Sequence, residues 1–337
     1  MRKKNLLITG GNGFIGQNFL SKINKKKFNV INIDCLTKSS DKYVKNRFKW
    51  INFEKFNICN TKKVSQIFLD FKPDIVVNFA AHSHVDTSIV NSKLFLENIN
   101  GTYNLLNNSL KIFEKKEIKF LQISTDEVFG SINKGSFDNS SPYKPNSPYS
   151  ATKASSDHLV RAFNKTYRLP TITTYSCNNF GPYQHLEKLI PLTIYSFLNN
   201  KKMGIYGEGD QKRQWIFVED NVNALNKILS TKFDGSTYCI GSKYEIENLK
   251  LVKLILEILN KKFSLKRNFN YLDHINFVRD RPGHDHRYFL NYKEFSKKFS
   301  WKQKVSLKSG IIKTIDWYTS NLKWINSKKN KLENFFK

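Results

Sequence analysis

The sequence predicts an α/β protein with a doubly wound parallel sheet and a smaller mixed α/β domain built from its second half. Short apolar runs alternate with segments of helical periodicity as far as Ser176. A glycine-rich turn, Gly10 to Gly16, directly follows the first apolar run. Beyond Ser176 the alternation is less regular, which predicts a change of architecture there.

Each element follows from an apolar run, a capping residue or a proline. The predicted strands are Asn5–Thr9, Phe28–Asp34, Asp74–Ala80, Ile118–Ser124 and Thr171–Ser176. The predicted helices are Gln17–Ile23, Thr61–Phe71, Leu94–Phe113, Tyr149–Tyr167, Leu186–Asn199 and Leu249–Asn260. Thr61 is the expected N-cap of its helix, and Pro73 prevents that helix from continuing. Strands that alternate with helices require crossover connections, and these make the sheet parallel.

The composition excludes several classes of protein. The 337 residues carry a net charge of +28, but nine of the 56 basic residues are Arg and the rest are Lys. Base readers and phosphate clamps favour the forked Arg side chain, so this charge predicts no specific nucleic-acid partner. No apolar run approaches the roughly 18 residues of a membrane span. The basic start contains only Leu6-Leu7-Ile8 as an apolar stretch, too short for a signal peptide.

The four cysteines indicate a reducing, cytoplasmic setting. Cys35, Cys59, Cys177 and Cys239 are far apart and lack the spacing of a metal site, so no bound metal is predicted. Each is expected to be a small buried apolar residue.

The glycine turn predicts a dinucleotide site in a Rossmann-type sheet. Gly10, Gly13 and Gly16 stand between a strand and a helix, where the backbone must approach a pyrophosphate and the helix start offers N–H groups. Asp34 ends the second strand, and a carboxylate there accepts ribose hydroxyls and repels a 2′-phosphate, which favours NAD over NADP. The alternative is a turn of small residues before a core helix, with Asp34 as a solvated strand end.

Two further patterns carry chemistry. Tyr149 and Lys153 share one helix face, and a nearby ammonium is expected to lower the pKa of the phenol and make it a general base. Thr125, Asp126 and Glu127 follow a buried strand, where two carboxyls can divide the roles of acid and base. The alternatives are an ordinary surface pair and a polar turn that caps backbone groups.

The chain resembles the extended short-chain dehydrogenase/reductases that act on nucleotide sugars, and within them the 4,6-dehydratases. The segments that carry the resemblance are Thr9–Gly16, Ser83–Asp86, Ile123–Gly130, Ser147–His158, Cys177–Tyr183, Glu187–Pro191, Ile205–Asp210 and Asp280–Tyr288. The Thr-Asp-Glu triplet distinguishes these dehydratases from 4-epimerases.

The resemblance implies a mechanism on dTDP-glucose with NAD as a recycled cofactor. Tyr149, helped by Lys153 and Thr125, removes the 4-hydroxyl proton while hydride leaves carbon 4. Glu127 removes the proton of carbon 5, and Asp126 protonates the departing 6-hydroxyl. Hydride then returns to carbon 6, which gives a 4-keto-6-deoxy sugar nucleotide.

The resemblance also implies binding residues, a dimer and interleaved domains. The cofactor residues are Gly10, Gly13, Phe14, Ile15, Gly16, Asp34, Leu36, Asn57, Ile58, Ala80, Ala81, Asn98, Tyr149, Lys153 and Asn179. The substrate residues are Ser83, His84, Thr125, Asn178, Lys188, Leu189, Gly204, Tyr206, Arg213, Asn248, Arg281, His284 and Tyr288, with Arg213 reaching the diphosphate. Residues 1–177 plus about 211–238 are expected to bind NAD, and about 178–210 plus 239–337 the nucleotide sugar. The chain is expected to cross back near Gln214–Ile228, and two copies are expected to meet through two helices each.

Four features depart from the family pattern. His82 replaces a Glu, Asn57 an Asp and Glu97 a Thr, and Thr37–Ser40 lacks the usual Thr-Tyr-Ala-Gly. None removes a catalytic group, but all alter the cofactor side. His82 predicts activity that depends on pH between ~5.5 and ~7.5, where a histidine titrates.

Other interpretations remain open at this stage. The same reaction on UDP-glucose, an epimerase or decarboxylase on the same scaffold, and a non-catalytic basic protein that binds nucleic acid are the alternatives. Lys188, Arg213 and Arg281 could be surface charges, and His84 and His284 could lack a ligand.

Overall fold

Seven parallel strands form the central layer of the molecule. The structure, a computed structural model, describes residues 2–264 and 269–329. The strands are β1 (Lys4–Thr9), β2 (Phe28–Ile33), β3 (Asn52–Glu54), β4 (Ile75–Asn78), β5 (Lys119–Thr125), β6 (Thr171–Ser176), β7 (Asn178–Phe180), β8 (Met203–Tyr206), β9 (Lys212–Phe217), β10 (Thr237–Ile240), β11 (Glu245–Glu247) and β12 (Ile275–Val278). The central sheet has the order β10-β6-β5-β4-β1-β2-β3. The predicted doubly wound parallel sheet is thereby confirmed.

Helices cover both faces of this sheet. They are α1 (Phe14–Lys22), α2 (Val44–Arg47), α3 (Thr61–Phe71), α4 (Val85–Val90), α5 (Ser92–Phe113), α6 (Pro148–Tyr167), α7 (Leu189–Leu198), α8 (Val218–Leu229), α9 (Asn248–Phe263), α10 (Lys293–Phe299), α11 (Leu307–Ser320) and α12 (Leu322–Lys329). In β1, Leu6 and Ile8 join one buried cluster while Leu7 joins another. Successive strand residues point to opposite faces, so the continuous apolar run of β1 fits a sheet buried on both sides.

The strand order reverses between β1 and β4, and this reversal positions the site. Both strands are parallel neighbours, yet β1 continues to β2 on one side and β4 to β5 on the other. The connections therefore diverge at their carboxyl ends and leave a crevice there, which is where open α/β sheets bind ligands.

A smaller mixed part packs beside the central sheet. It contains a three-stranded sheet of order β11-β9-β7 and a parallel pair, β8 with β12. A separate apolar cluster includes Leu186, Ile255 and Ile311. The chain then returns: α8 packs against α1, and β10 pairs with β6 at the edge of the central sheet. A return of the chain to the first domain was predicted near Gln214–Ile228.

Several local predictions were wrong in detail. Helix α1 begins at Phe14 rather than Gln17, because Gly13 is its N-cap. The N-cap of α3 is Asn60 rather than Thr61, since the Asn60 side chain accepts from Lys63 N. Helix α7 begins at Leu189 rather than Leu186. Cys35 is exposed, although a buried residue was expected.

Candidate active site

The glycine turn at the end of β1 is shaped for close approach by a ligand. Gly10 has φ +69°, and a Cβ there would lie 2.6 Å from Ala80 N. A Cβ on Gly16 would lie 2.5 Å from Gly10 O. Gly13 is the N-cap of α1 and has no side chain to cap the helix. The first turn therefore presents its N–H groups to the crevice. Such a turn at a positive helix end suits the pyrophosphate of a dinucleotide.

Asp34 follows β2 and is held in one orientation. Its Oδ2 accepts from Asn12 N at 3.0 Å, and its Oδ1 accepts from Leu36 N at 2.8 Å and from Ser40 Oγ at 2.9 Å. Burial raises the pKa of this carboxyl, while the three hydrogen bonds oppose that change. Leu36 takes a left-handed backbone conformation, φ +59°, which brings its N–H back to Asp34.

One cavity runs along the carboxyl edge of the sheet from the glycine turn to α6. Of the predicted cofactor residues, its wall contains Gly10, Gly13, Phe14, Ile15, Gly16, Asp34, Asn57, Ile58, Ala80, Ala81, Asn98, Tyr149 and Lys153. Leu36 and Asn179 are outside this wall. Asn179 Oδ1 is buried without a hydrogen-bond partner among the described residues, as expected of a group that awaits a ligand. These features fit NAD.

Helix α6 carries the tyrosine and lysine into this cavity. Ser147 caps the helix and forms a capping box with Ser150, which fixes Tyr149 in the first turn. Tyr149 is buried in this first turn. Lys153 Nζ donates to Ile123 O at 2.6 Å.

The expected lowering of the Tyr149 pKa by Lys153 was wrong for this structure. Burial and the neighbouring Glu127 raise the pKa of the phenol, and the interaction with Thr125 opposes them only partly. The pKa of Lys153 is itself lowered by burial, although Asp157 opposes this change. In this structure the ammonium donates to the Ile123 carbonyl and interacts with Asp157.

The two adjacent carboxyls have different surroundings. Asp126 is 1% exposed, and burial together with Glu127 raises its pKa to about 8. Its Oδ2 has no hydrogen-bond partner among the described residues, while Oδ1 accepts from Thr125 Oγ1 at 3.2 Å. Burial also raises the pKa of Glu127, but Arg281, Lys188 and Arg213 oppose that rise. Asp126 is therefore suited to hold a proton, and Glu127 to accept one.

The predicted substrate residues are distributed over several elements, and two of them line the cavity. Ser83 and Lys188 line the same cavity as the cofactor set, and Lys188 Nζ donates to Ser83 O at 3.2 Å. Asn178 starts β7, and Leu189 starts α7. Gly204 and Tyr206 lie in β8, and Asn248 starts α9 with its buried Oδ1 lacking a partner in the described part of the chain.

Four of the predicted substrate residues contact acidic side chains of the protein itself. Tyr206 donates to Asp86 Oδ2 at 3.3 Å, and Arg281 Nη1 lies 3.4 Å from Asp86 Oδ1. His84 Nε2 is 3.7 Å from the same carboxylate. His284 Nδ1 lies 2.7 Å from Asp280 Oδ1, and burial lowers the pKa of this histidine to about 4.

Arg213 does not present the free fork that the sequence suggested. It is 5% exposed, and its terminal nitrogens donate to the carbonyls of Lys212, Asp285 and His286. Its guanidinium also lies 4.4 Å from the ring centre of Tyr288. The side chain therefore fixes the segment that bears Tyr288 and lowers the pKa of both carboxyls of the acid pair.

Sequence reasoning missed several residues of the site. Asp157 lies one turn beyond Lys153 on the same face of α6 and accepts a hydrogen bond from Ser124. Its four-residue spacing from Lys153 was a usable signal. Gln184 and His185, which lie between Asn179 and Lys188 in the sequence, also line the cavity. Within residues 2–264 and 269–329, no group of three or more acidic, His or Cys side chains could hold a metal ion.

The cavity contains the glycine turn, Tyr149 and Lys153, while Thr125, Asp126 and Glu127 lie outside its wall and interact with Tyr149. A dinucleotide cradle with a tyrosine, a lysine and a neighbouring acid pair is the arrangement of a dehydrogenase-type enzyme that also moves protons on its substrate. The family model described as GDP-mannose 4,6 dehydratase matches residues 7–314. The dTDP-glucose 4,6-dehydratases of Salmonella typhimurium and Haemophilus influenzae are 42% and 43% identical, over 96% and 94% of this chain and 95% and 98% of theirs. The chain belongs to the dTDP-glucose 4,6-dehydratase family.

Solved structures agree with this membership. The dTDP-glucose 4,6-dehydratase DesIV of Streptomyces venezuelae, crystallised with NAD and TYD, matches with a TM-score of 0.86 and 33% identity over 95% of this chain and 98% of its own. The enzyme of Bacillus anthracis, in complex with NAD, matches with a TM-score of 0.84 and 35% identity over the same shares.

Proposed function

We propose that the protein converts dTDP-glucose into dTDP-4-keto-6-deoxyglucose and water, with NAD as a cofactor that is regenerated in each turnover. The observation that carries this proposal is the acid pair: Asp126 and Glu127 are adjacent, burial raises the pKa of Asp126 to about 8, and Arg281, Lys188 and Arg213 all oppose the rise at Glu127. An oxidation at carbon 4 alone would need no such pair. Elimination of water needs both an acid and a base.

The residues divide the reaction between them. NAD, when bound by the glycine turn and Asp34, supplies the hydride acceptor at carbon 4 and the hydride donor at carbon 6. Tyr149 takes the proton of the 4-hydroxyl, and Thr125, which interacts with that phenol, holds the oxygen at carbon 4. The new ketone acidifies carbon 5, so Glu127 can remove its proton. Asp126 donates its proton to the 6-hydroxyl, which leaves as water. Once hydride has returned to carbon 6, Glu127 gives its proton back to carbon 5, which completes the 4-keto-6-deoxy product.

UDP-glucose is the main alternative substrate, since the choice of base depends on a few pocket contacts. The relatives named above favour the thymidine nucleotide. A 4-epimerase on the same scaffold would not use the acid pair. Non-specific attraction of nucleic acid by the +28 charge does not explain the buried Asp34, Tyr149 and Lys153 on the wall of one cavity.

We infer two domains and a homodimer in the cytoplasm. Residues 1–177 plus about 211–238 are assigned to NAD, and 178–210 plus 239–337 to the nucleotide sugar. Residues 265–268 and 330–337 of the latter lie outside the described part of the chain. Helices α5 and α6 pack together and leave Leu96, Tyr103 and Tyr167 about half exposed, which supports pairing through this surface. Both proposed ligands are intracellular metabolites, which supports a cytoplasmic location.

The first test is turnover of dTDP-glucose and, separately, UDP-glucose by the purified protein. The 4-keto chromophore in strong base and the loss of one water by mass spectrometry report the product. We expect turnover of dTDP-glucose, and a loss of about a hundredfold or more in Tyr149→Phe. Turnover of UDP-glucose alone would correct the substrate, and conversion without a change of mass would refute dehydration.

Deuterium uptake separates the two carboxyls. In deuterated solvent, Glu127→Gln should take up no label at carbon 5, because the base is missing. Asp126→Asn should still take up label there but should release little water, because only the acid is missing. Asp138→Asn, an exposed carboxyl remote from the cavity, is the matched control and should behave like the unaltered protein. Identical labelling in the two site variants would contradict the division of roles.

A further inference from the structure

Three polar side chains from separate parts of the chain meet on the cavity wall. Asn57 follows β3, His82 follows β4, and Glu97 lies in α5. Glu97 Oε2 accepts from Asn57 Nδ2 at 2.7 Å and pairs with His82 Nε2 at 3.0 Å. All three line the cavity that also contains Asp34. They are the three single residues that depart from the family pattern, so the departures form one connected unit.

Both partners of Glu97 are themselves fixed. Asn98 accepts from His82 N at 2.7 Å and donates to His82 O at 3.1 Å. Asn57 Oδ1 accepts from Cys59 N at 2.9 Å. Because the backbone determines where these two side chains stand, the Glu97 carboxylate is held in one orientation rather than being free to rotate.

The other oxygen of Glu97 is available to a ligand. Among the described residues, no hydrogen bond reaches Oε1, and the side chain is 37% exposed on the cavity wall. Burial raises the pKa of this carboxyl, but the hydrogen bonds from His82 and Asn57 lower it below its usual value overall. The cavity therefore contains a fixed, ionised acceptor that needs a donor.

This acceptor lines the same cavity as Asp34, the predicted ribose ligand. Cys35 follows Asp34 directly and lines the same cavity; burial raises the pKa of its thiol, and Asp34 and Glu97 add to that rise. Phe56 and Ile58 line the cavity on either side of Asn57. Apolar walls with one anionic acceptor suit a flat base that carries an amino group, and adenine carries such a donor at its carbon 6.

We propose that Glu97, held by His82 and Asn57, recognises the exocyclic amine of the adenine of the cofactor. This inference rests on the NAD binding proposed above. A base with an oxygen in place of that amine brings two acceptors together, so it loses a charge-assisted hydrogen bond and meets repulsion. The unit thereby selects adenine rather than merely accommodating a purine.

A competition experiment tests this selection. The full-length protein is equilibrated with an equimolar mixture of NAD and nicotinamide hypoxanthine dinucleotide, in which oxygen replaces the amine. The bound dinucleotides are then released with acid and quantified by mass spectrometry. We expect the unaltered protein to prefer NAD by about tenfold or more. In Glu97→Gln, whose amide can present either a donor or an acceptor, the preference should fall to about twofold or less.

Controls separate selection from folding and from the proposed function. Glu114→Gln, at the other end of α5 and outside the cavity wall, should retain the preference. If Glu97→Gln yields too little folded protein, Glu97→Asp provides the same test, because it retracts the carboxylate by one methylene. Equal uptake of both dinucleotides by the unaltered protein, or an unchanged preference in the Glu97 variants, would overturn this inference alone. Uptake of neither dinucleotide would overturn the proposed NAD binding with it.

Discussion

At the residue scale, the acid pair shows how burial and charge assign roles to similar side chains. Asp126 and Glu127 are neighbours in sequence and differ by one methylene. Asp126 is almost fully buried and has an unpartnered oxygen, whereas three cations oppose the rise of the Glu127 pKa. The same electrostatics that suit Asp126 to donate a proton also make it a costly residue for the fold.

We expect Asp126→Asn to make the protein more stable, and increasingly so as the pH rises. The pKa of Asp126 is about 8 in the folded protein and 3.8 in the reference state. Between these values the folded protein holds a proton that the unfolded chain has released, so stability falls as the pH rises. The amide abolishes this slope, and the melting temperature should exceed that of the unaltered protein by about 3 °C or more at about pH 8, with less gain at about pH 5.

Asp138→Asn provides a control of opposite sign. Hydrogen bonds from Ser140 lower the pKa of Asp138, so its carboxylate stabilises the folded state once the pH exceeds its unfolded pKa. Its amide variant should therefore melt at a slightly lower temperature at about pH 8, and not at a higher one. If calorimetry finds equal shifts for both variants, the raised pKa of Asp126 is refuted.

At the element scale, the first turn of α6 determines how Tyr149 is oriented. Ser147 accepts from Ser150 N at 3.1 Å, and the two hydroxyl groups form the capping box just before and after Tyr149. Tyr149 is thus oriented by the cap, whereas Lys153 and Asp157 lie on later turns of the same face. The start of α1 is similar, because the local backbone geometry of the glycine turn there shapes a site for a ligand.

We expect Ser147→Ala to weaken both the helix start and catalysis. Loss of the cap should lower the free energy of unfolding by about 1 kcal/mol. The kcat should fall severalfold with little change in KM, because the phenol is displaced while the binding residues remain. Ser306, which caps α11 by accepting from Ser309 N, is the matched control. Ser306→Ala should lose similar stability and retain kcat; an equal loss of kcat in both variants would show that general destabilisation is the cause.

At the scale of the whole molecule, charge and surface apolarity are the features that the site does not explain. The +28 charge is spread over mostly Lys side chains, which favours solubility and weak non-specific attraction. In the described part of the chain, no helix is both long and apolar enough to cross a bilayer. The half-exposed Leu96, Tyr103 and Tyr167 give α5 and α6 an apolar surface, on which the proposed dimer depends.

We expect Leu96→Glu to shift the protein from dimer to monomer. Leu96 is 50% exposed on α5, and a charge there would have to be buried in the proposed pairing. Light scattering with size exclusion measures the mass directly. Leu322, which is 54% exposed on α12, gives the control, and Leu322→Glu should leave the mass unchanged. A monomeric unaltered protein would rule out the dimer itself.

The sequence by itself determined the features that depend on neighbouring residues. The apolar runs of β1 and β4, the glycine turn before α1 and the four-residue spacing of Tyr149 and Lys153 follow from local sterics and periodicity. They suffice for the fold class and for most of the cavity wall. Even here the boundaries shifted by a few residues, as at Gly13, because capping competes between adjacent residues.

Only the tertiary structure decided the features that join distant residues. Packing brings Arg213 within hydrogen-bonding distance of the carbonyls of residues 285 and 286. Packing also raises the pKa of Tyr149, because it buries the phenol. The contact of His82 with Glu97, fifteen residues apart, and that of Asn57 with Glu97, forty residues apart, depend on packing too. Burial and Coulomb interactions depend on distance in space, and neither can be read from separation along a chain. The sequence identified the reacting groups, and the fold determined their protonation, orientation and partners.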